Sequence, residues 1–242
     1  MTINSAPTIS IAGENALIIY FSDKACDETA ALVHQAEQLI RANLQGSFID
    51  LIPSYASILV MFDMLALDHH QLRNKLRSLL TNLSLDSASR GEIIELPVYY
   101  STESGPDLLA IASKAQLSID EVIAIHQAQE YRVYAIGFAP GFAYLGEVDS
   151  RIAMSRLTTP RLKVPKGAVA IADRQTAVYP SESPGGWNII GLCPIEMFSL
   201  KSKPSMPVNV GDRVKFKGIS KQEFIALGGV LDNAQHGSMI NE

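Results

Sequence analysis

The first third of the chain shows two spacings of hydrophobic positions, one typical of strands and one typical of helices. Residues 16–21 form an apolar run of strand length, and similar short runs recur at 48–52 and 58–62. The last two runs are separated by Pro53-Ser54-Tyr55, a connection short enough for a hairpin. Two amphipathic helices are predicted from apolar residues three and four positions apart: Leu32, Val33, Ala36, Leu39 and Ile40, then Leu72, Leu76, Leu79, Leu80 and Leu83.

A strand predicted at residues 92–96 completes the order strand, helix, strand, strand, helix, strand. This order predicts an α+β N-terminal domain of the split βαβ, ferredoxin-like type, with its helices on one face of an antiparallel sheet. We assign this domain to residues 1–90. The small and polar residues from 84 to 92 indicate an exposed linker or loop at its end.

The second part of the chain, residues 91–242, is predicted to be mainly β. Much of the glycine and proline falls between residues 97 and 218. A short helix is predicted to begin at Pro106, and Ser118 with Glu121 forms a capping box ahead of a second helix. Short strands are predicted at 131–138, 169–172, 177–179, 188–192, 196–200 and 213–216. So many short strands need a closed barrel or a sandwich to protect their edges.

Composition narrows the classes of function. The chain has 242 residues, with 25 acidic and 20 basic side chains and a net charge of −5, so no basic field indicates nucleic-acid binding. The N-terminus carries no pattern typical of a secretory signal, and the apolar runs are too short to span a membrane. Two cysteines, Cys26 and Cys193, are far apart and predict neither a disulfide framework nor a paired metal motif. We therefore expect a cytoplasmic protein.

Standard catalytic signatures do not occur in the sequence. It contains no phosphate-binding Gly-x-x-x-x-Gly-Lys-Ser/Thr loop, no Gly-x-Gly-x-x-Gly, no His-Glu-x-x-His and no Gly-x-Ser-x-Gly. His69 and His70 are adjacent, so their rings cannot share one helix face as metal ligands. We predict no metal site, and no residue is identified as catalytic from these motifs.

Three segments remain as candidates for binding. Residues 137–146 combine glycine and proline with three rings, including Phe138 and Tyr144, and fit either a pocket wall or a tight barrel corner. Residues 159–167 place Arg161 and Lys163 on an extended stretch between prolines. The planar guanidinium of Arg161 can form paired hydrogen bonds with a carboxylate or phosphate. An edge strand protected from further pairing by lysine and proline explains the same residues.

The third segment, residues 175–188, contains Gln175, Tyr179 and the only tryptophan of the chain, Trp187, beside two glycines. Trp187 fits the core as well as a ligand wall. His126 lies on the apolar stripe of its predicted helix, which favours a hydrogen-bonded structural histidine over a catalytic one.

Several separated motifs together resemble one family over essentially the whole chain. They are Leu96-Pro97-Val98-Tyr99-Tyr100, Gly105-Pro106-Asp107-Leu108, residues 126–146, Pro160-Arg161 with Val164-Pro165, Gln175-Thr176, Tyr179-Pro180, Pro184-Gly185-Gly186-Trp187 and Ile190-Gly191. The family includes the 5-oxoprolinase B subunit, the allophanate hydrolase subunit 1 domain and the KipI-type inhibitor of a histidine kinase. The resemblance implies a small α/β N-terminal domain followed by a cyclophilin-like β-barrel.

The resemblance also implies a function, partners and a cofactor. It implies the B subunit of an ATP-dependent 5-oxoprolinase, which opens 5-oxoproline to glutamate together with a barrel-containing C subunit and an A subunit of the LamB/YcsF type. ATP is expected to be shared with these partners. The cleft residues that it implies are Phe138, Tyr144, Arg161, Gln175, Tyr179 and Trp187, together with His126. A KipI-type kinase inhibitor and an amide hydrolase subunit related to allophanate hydrolase or urea amidolyase are the alternatives.

The sequence departs from the family pattern at a few positions. Ser155-Arg156-Leu157 stands where a Pro-Arg-Arg is usual and retains one arginine, and Ala172-Asp173 stands where two glycines are usual. Asp173 adds a negative charge near the expected anion-binding cleft. These departures bear on the identity of the substrate more than on the fold.

Overall fold

The computed structural model describes residues 6–83 and 91–231. The chain folds into two compact units, of which the first comprises Met1–Ile93, Arg132–Gly137 and Val208–Arg213. The second comprises Ile94–Tyr131, Phe138–Pro207 and Val214–Glu242. The division into domains at residues 90 and 91 stays a prediction, and residues 84–90 of the predicted linker lie outside the described part of the chain.

The first unit contains an antiparallel four-stranded sheet and two helices. Its elements are β1 (Thr8–Ile11), β2 (Ala16–Tyr20), α1 (Asp27–Asn43), β3 (Asp50–Ser54), β4 (Ser57–Met61) and α2 (His69–Leu79). The strands are ordered β1-β2-β4-β3. Strand alternation buries Leu17 and Ile19 of β2 on one face, where they share a core with Leu72 and Leu76 of α2. Asp68 and Gln71 form a capping box that starts α2.

The predicted split βαβ arrangement is not confirmed for this unit. The run predicted as its last strand forms a strand over Ile93–Val98, but this strand belongs to a different, seven-stranded sheet. The fourth strand is instead β1, which pairs with β2. Its four residues were missed because such a short alternating segment gives little signal. Pro53, predicted in a turn, lies within β3, an edge strand where a missing N–H is tolerated.

The rest of the chain adds nine strands and three helices within the described residues. In order they are β5 (Ile93–Val98), α3 (Leu108–Ala115), α4 (Ile119–Ala128), β6 (Tyr131–Ile136), β7 (Ala143–Gly146), β8 (Arg161–Val164), β9 (Ala168–Ala172), β10 (Gln175–Val178), β11 (Ser183–Gly185), β12 (Asn188–Leu192), β13 (Arg213–Gly218) and α5 (Lys221–Ala226). From Arg132 onward, β6 belongs to the first unit. Among these helices, none has the length and apolar character needed to cross a membrane, and the same holds for α1 and α2.

The second unit is mainly β, and its large sheet nearly closes on itself. Strands β12, β9, β10 and β7 are neighbours in that order, and β13 lies beside β5. Tyr99, directly after β5, exchanges two backbone hydrogen bonds of 2.8 and 3.0 Å with Leu192 at the end of β12. Because β5 and β12 are the outer strands of the sheet, this exchange brings its two edges together as in a barrel.

Two strands of this barrel-like sheet, β9 and β12, are buried on both faces. All five residues of β9 and of β12 are buried. This explains why they are nearly continuous apolar runs in the sequence rather than alternating ones. Strands β8 and β11 form a separate two-stranded sheet.

One predicted strand does not form. Residues 196–200 have no ladder partner and adopt bends and turns. Met197 is nonetheless buried, and its carbonyl oxygen would lie 2.5 Å from a β-carbon placed on Gly141. The apolar positions of this segment were therefore a sign of packing against a neighbouring loop, not of strand pairing.

Gly105 is expected to tolerate no side chain, because its backbone lies very close to the backbone of β12. A β-carbon at this position would lie 2.3 Å from the carbonyl carbon and oxygen of Ile190. We expect Gly105→Ala to lower the free energy of unfolding by about 1 to 3 kcal/mol, measured by urea denaturation with Trp187 fluorescence as the probe. Gly137→Ala, whose new β-carbon would meet no atom within 4 Å, is the control. Equal stability of the two variants would contradict this packing.

Candidate functional site

An aromatic cluster in the second unit collects most of the rings that the sequence singled out. Phe142, itself buried, lies at its centre and has the ring centroids of Phe138, Tyr144, Tyr179 and Trp187 at 5.4, 4.9, 5.2 and 5.6 Å. All four pairs are edge-to-face, with interplanar angles of 65° to 89°. The loop ahead of β7, the end of β10 and the residue before β12 thus meet through their aromatic side chains.

Phe138 is the outermost ring of the cluster. Its side chain is 70% exposed, and its backbone φ is +71°. A bulky residue rarely adopts a positive φ, because its β-carbon crowds the backbone. The loop therefore presents an apolar ring at the surface in a conformation that costs free energy, which is a common feature of binding loops.

Arg161 lies beside this cluster and is bound to an aspartate of the same unit. Its Nη2 donates to Oδ1 of Asp107 at 2.7 Å, and its Nη1 donates to the carbonyl of Trp187 at 3.4 Å. The Arg161 side chain is 27% exposed and that of Asp107 is 12% exposed. Some of the Arg161 N–H groups that were predicted to bind an anion thus form hydrogen bonds within the chain.

Asp107 joins three segments through one carboxylate. Its Oδ2 accepts from the backbone N–H of Ile189 at 2.7 Å, and its own N–H donates to the carbonyl of Ile189 at 3.1 Å. The start of α3, the strand β8 and the start of β12 are therefore fixed to one another. The other predicted cations of the β8 region are exposed and paired: Lys163 with Glu182 at 3.0 Å and Lys166 with Glu196 at 2.9 Å.

Tyr179 contributes a neutral phenol to the same place. Burial raises its pKa, while Arg156, the backbone N–H of Trp187 and Arg161 act in the opposite direction. Because the raised pKa keeps the phenol protonated near pH 7, Tyr179 can donate a hydrogen bond. Gln175 begins β10 opposite Gly146 of β7.

Arg156 also lies in this region, although it is not among the site residues predicted from the sequence. Its guanidinium lies over the Trp187 ring, 5.6 Å from the centroid. The side chain is exposed, whereas Trp187 is 5% exposed beneath it. The only signal in the sequence was the arginine kept in Ser155-Arg156-Leu157. Its meaning depends on the contact with Trp187, more than 30 residues away.

His126 lies in the interior of the second unit, away from the contacts of this cluster. It is fully buried, and its Nδ1 and Nε2 form hydrogen bonds with the hydroxyls of Tyr100 at 2.8 Å and Thr176 at 3.1 Å. Its ring stacks on Phe216 at 4.8 Å. Burial lowers the pKa of His126 to about 3, so the ring is neutral near pH 7. These contacts favour the structural interpretation of this residue.

The structure thus brings Phe138, Tyr144, Tyr179, Trp187 and Arg161 together and adds Asp107 and Arg156. Chemically, the group offers guanidinium and phenol donors beside aromatic rings, an arrangement suited to holding an anion. Within residues 6–83 and 91–231, no group of three or more His, Cys, Asp or Glu side chains is placed to hold a metal ion. The binding role of these residues stays a prediction.

Comparison with known proteins identifies the family. Residues 7–208 match the family described as carboxyltransferase domain, subdomain C and D, and the chain belongs to this family. It is 37% identical over 224 residues to the 5-oxoprolinase B subunit of Bacillus subtilis (strain 168), covering 88% of this chain and 93% of the relative. It is 40% identical over 133 residues to the corresponding protein of Escherichia coli O157:H7, which has the same name, covering 55% and 60%. The resemblance inferred from the motifs is confirmed.

Solved structures show the same fold. A crystal structure of TTHA0988 superposes with a TM-score of 0.75 at 34% identity, covering 85% of this chain and 40% of that one. This chain therefore corresponds to about two fifths of that longer polypeptide. Kluyveromyces lactis urea amidolyase superposes with a TM-score of 0.71 at 15% identity, covering 91% of this chain and 15% of that one. At this identity, the likeness concerns the fold alone.

The buried His126 predicts a specific dependence of stability on pH. Its pKa is about 3 in the folded chain against an ordinary value of 6.5. Between these values the unfolded chain binds a proton that the folded chain does not, so the free energy of unfolding falls as the pH falls. The expected contribution is about 1.4 kcal/mol per pH unit. His126→Gln should lose this part of the slope in urea denaturation, while His70→Gln, at an exposed site on α2, should keep it. An unchanged slope in His126→Gln would contradict a buried neutral ring.

Asp107 is predicted to be important for stability. Asp107→Ala would leave the Arg161 charge without its carboxylate and the Ile189 N–H without its acceptor. We expect the free energy of unfolding to fall by about 2 to 4 kcal/mol. Asp149→Ala, which removes the partner of the exposed Arg151, should have a clearly smaller effect. Urea denaturation at constant pH provides the measurement. Similar losses in both variants would show that Asp107 acts as an ordinary surface residue.

Proposed function

We propose that this chain is the B subunit of an ATP-dependent 5-oxoprolinase, which converts 5-oxoproline, ATP and water to glutamate, ADP and phosphate. The proposal is supported by the family and by relatives named as 5-oxoprolinase B subunits, which are 37% and 40% identical to this chain. Cytoplasm is the expected location, because the reaction consumes ATP.

The observation that carries the proposal is the grouping of Arg156, Arg161 and the Tyr179 phenol around Trp187. The substrate 5-oxoproline is a flat lactam with one carboxylate. Guanidinium groups recognise a carboxylate through paired hydrogen bonds, and adjacent aromatic rings exclude water from the contact. This chain would accordingly bind and orient the substrate.

The catalytic base is proposed to come from a partner protein. In this chain the two ring nitrogens of His126 are bonded to Tyr100 and Thr176, and burial keeps the ring neutral. The phenol of Tyr179 has a raised pKa, so it serves as a hydrogen-bond donor rather than as a base near pH 7. The described residues thus offer means of binding, but they do not form a complete nucleophile and base pair.

ATP and its phosphates are likewise proposed to be bound with the help of partners. The sequence contains no glycine-rich phosphate loop with the lysine that such loops carry. The partners expected are a barrel-containing C subunit of the same enzyme and an A subunit of the LamB/YcsF type. The exposed ring of Phe138 supports a protein contact on this part of the second unit.

The exposure of Phe138 also favours the alternative of a protein-binding module such as a KipI-type kinase inhibitor. Such a module would use its surface to bind a histidine kinase and would need no turnover. An amide hydrolase subunit related to urea amidolyase is a further alternative that shares the carboxylate-binding arrangement.

Reconstitution tests the proposal. We expect the purified chain alone to release no glutamate from 5-oxoproline, because its residues supply binding without a base. Co-expression with the two candidate partners should yield a complex with ATP-dependent glutamate release. A stable pair interface should bury more than about 1,000 Å² in total. Omission of ATP and omission of this chain are the controls, and both should abolish release.

Two outcomes would contradict the proposal. Turnover by the single chain would show that it contains its own base. A complete complex of all three proteins without ATP-dependent release, combined with specific binding of this chain to a histidine kinase, would favour the inhibitor instead.

A further inference from the structure

We infer that Arg156 is the residue of this chain that recognises the carboxylate of the bound ligand, with Arg161 held by Asp107 as its positioned neighbour. The inference rests on the proposed function and deepens it, because it names the residue of the same site that binds the carboxylate. It is carried by how the Arg156 backbone is held, by the partners of its side chain and by the charges around it.

The backbone on both sides of Arg156 is hydrogen-bonded to the two residues that flank Trp187, the side chain of Asn188 and the backbone of Gly186. Nδ2 of Asn188 donates to the carbonyl of Ser155 at 2.9 Å, and the N–H of Leu157 donates to the carbonyl of Gly186 at 2.7 Å. Residues 155–157 therefore run alongside residues 186–188, with Arg156 directly beside the indole.

Asn188 is itself part of the buried structure. It is 1% exposed, and its Nδ2 also donates to the carbonyl of Ile171 in β9 at 3.1 Å. The position of Arg156 is thus set by the barrel-like sheet and not by a mobile surface loop. Little backbone conformational entropy remains to be lost at this position when a ligand binds.

The N–H groups of the Arg156 guanidinium are available for a ligand, whereas those of Arg161 are partly used within the chain. In the part of the chain that the structure describes, no side chain or carbonyl forms a hydrogen bond or ion pair with Arg156, and its contact is the ring of Trp187. A contact between a guanidinium and a ring uses none of the N–H groups as hydrogen-bond donors, so those of Arg156 stay available for an acceptor. Arg161, by contrast, donates to Asp107 and to the Trp187 carbonyl.

The local charges match one negative charge on the ligand. Two guanidinium groups and one carboxylate, those of Arg156, Arg161 and Asp107, leave one positive charge in excess near Trp187. The phenol of Tyr179 adds a neutral donor. A carboxylate carries one charge and two coplanar oxygens and so fits a guanidinium edge, whereas a phosphate monoester carries up to two charges.

Trp187 provides a direct reporter, because it is the only tryptophan of the chain. We would titrate the full chain with 5-oxoproline and with 2-pyrrolidinone, the same lactam without the carboxylate, and follow tryptophan fluorescence. A saturable change is expected with 5-oxoproline and not with 2-pyrrolidinone at equal concentrations. Arg156→Gln should weaken 5-oxoproline binding by about 10-fold or more, and Arg156→Lys by less, because lysine keeps the charge without the fork.

Two controls separate binding from folding. Arg151→Gln changes an exposed arginine whose partner is Asp149, away from the contact with Trp187, and should bind 5-oxoproline as the wild type does. The thermal midpoint of Arg156→Gln should stay close to that of the wild type, since the bonds on either side of this residue are made by backbone groups and Asn188. In the reconstituted complex, Arg156→Gln should raise the KM for 5-oxoproline.

The results that overturn the inference are distinct from those that overturn the proposed function. Wild-type binding by Arg156→Gln, equal responses to the two lactams, or no fluorescence response in either the free chain or the complex would overturn the role of Arg156. An active complex in which Arg156→Gln keeps the wild-type KM would do the same while leaving the proposed function intact. Arg156-dependent binding of 5-oxoproline in a complex without turnover would support the role of Arg156 and contradict the proposed function.

Discussion

The carboxylate of Asp107 is the interaction on which the candidate site most depends. One oxygen accepts from Arg161 at 2.7 Å and the other from the Ile189 N–H at 2.7 Å, so neither is left without a donor in a largely buried position. An isolated buried carboxylate would be costly, and an isolated guanidinium would be equally so. Their pairing lets a charged residue lie against an aromatic cluster and at the same time fixes the strand that follows Trp187.

This pairing divides the two arginines of the site between two tasks. Arg161 maintains the geometry of the site because part of its fork is bonded to Asp107 and to the Trp187 carbonyl. Arg156 retains its N–H groups and is held over the indole by bonds on either side of it. A site that needs an oriented positive charge can thus be built from surface residues, because the order comes from the backbone and from the buried Asn188.

In the interior of the second unit, neutral polar groups are likewise buried together with their hydrogen-bond partners. His126 has hydroxyl partners at both nitrogens and aromatic rings beside it, so its burial costs little as long as it stays unprotonated. The helical spacing that placed it on an apolar stripe was enough to expect a structural residue. The identity of its partners, Tyr100 and Thr176, required the fold, because they lie 26 and 50 residues away along the chain.

The sequence by itself determined the elements that depend on local chemistry and the family that depends on ordered motifs. The capping box at Ser118 and Glu121 starts a helix as predicted, and the mainly β character of the second half follows from its short apolar runs and turn residues. Only the tertiary structure decided which strands share a sheet, since the strand Ile93–Val98 follows the first unit along the chain but belongs to the seven-stranded sheet. It also decided that Arg161 is partly neutralised and that Arg156 faces Trp187. The reason is physical. The spacing of hydrophobic residues indicates which face of its own helix or strand a residue lies on. Salt bridges and ring contacts join residues far apart along the chain, and nothing in their separation predicts the contact.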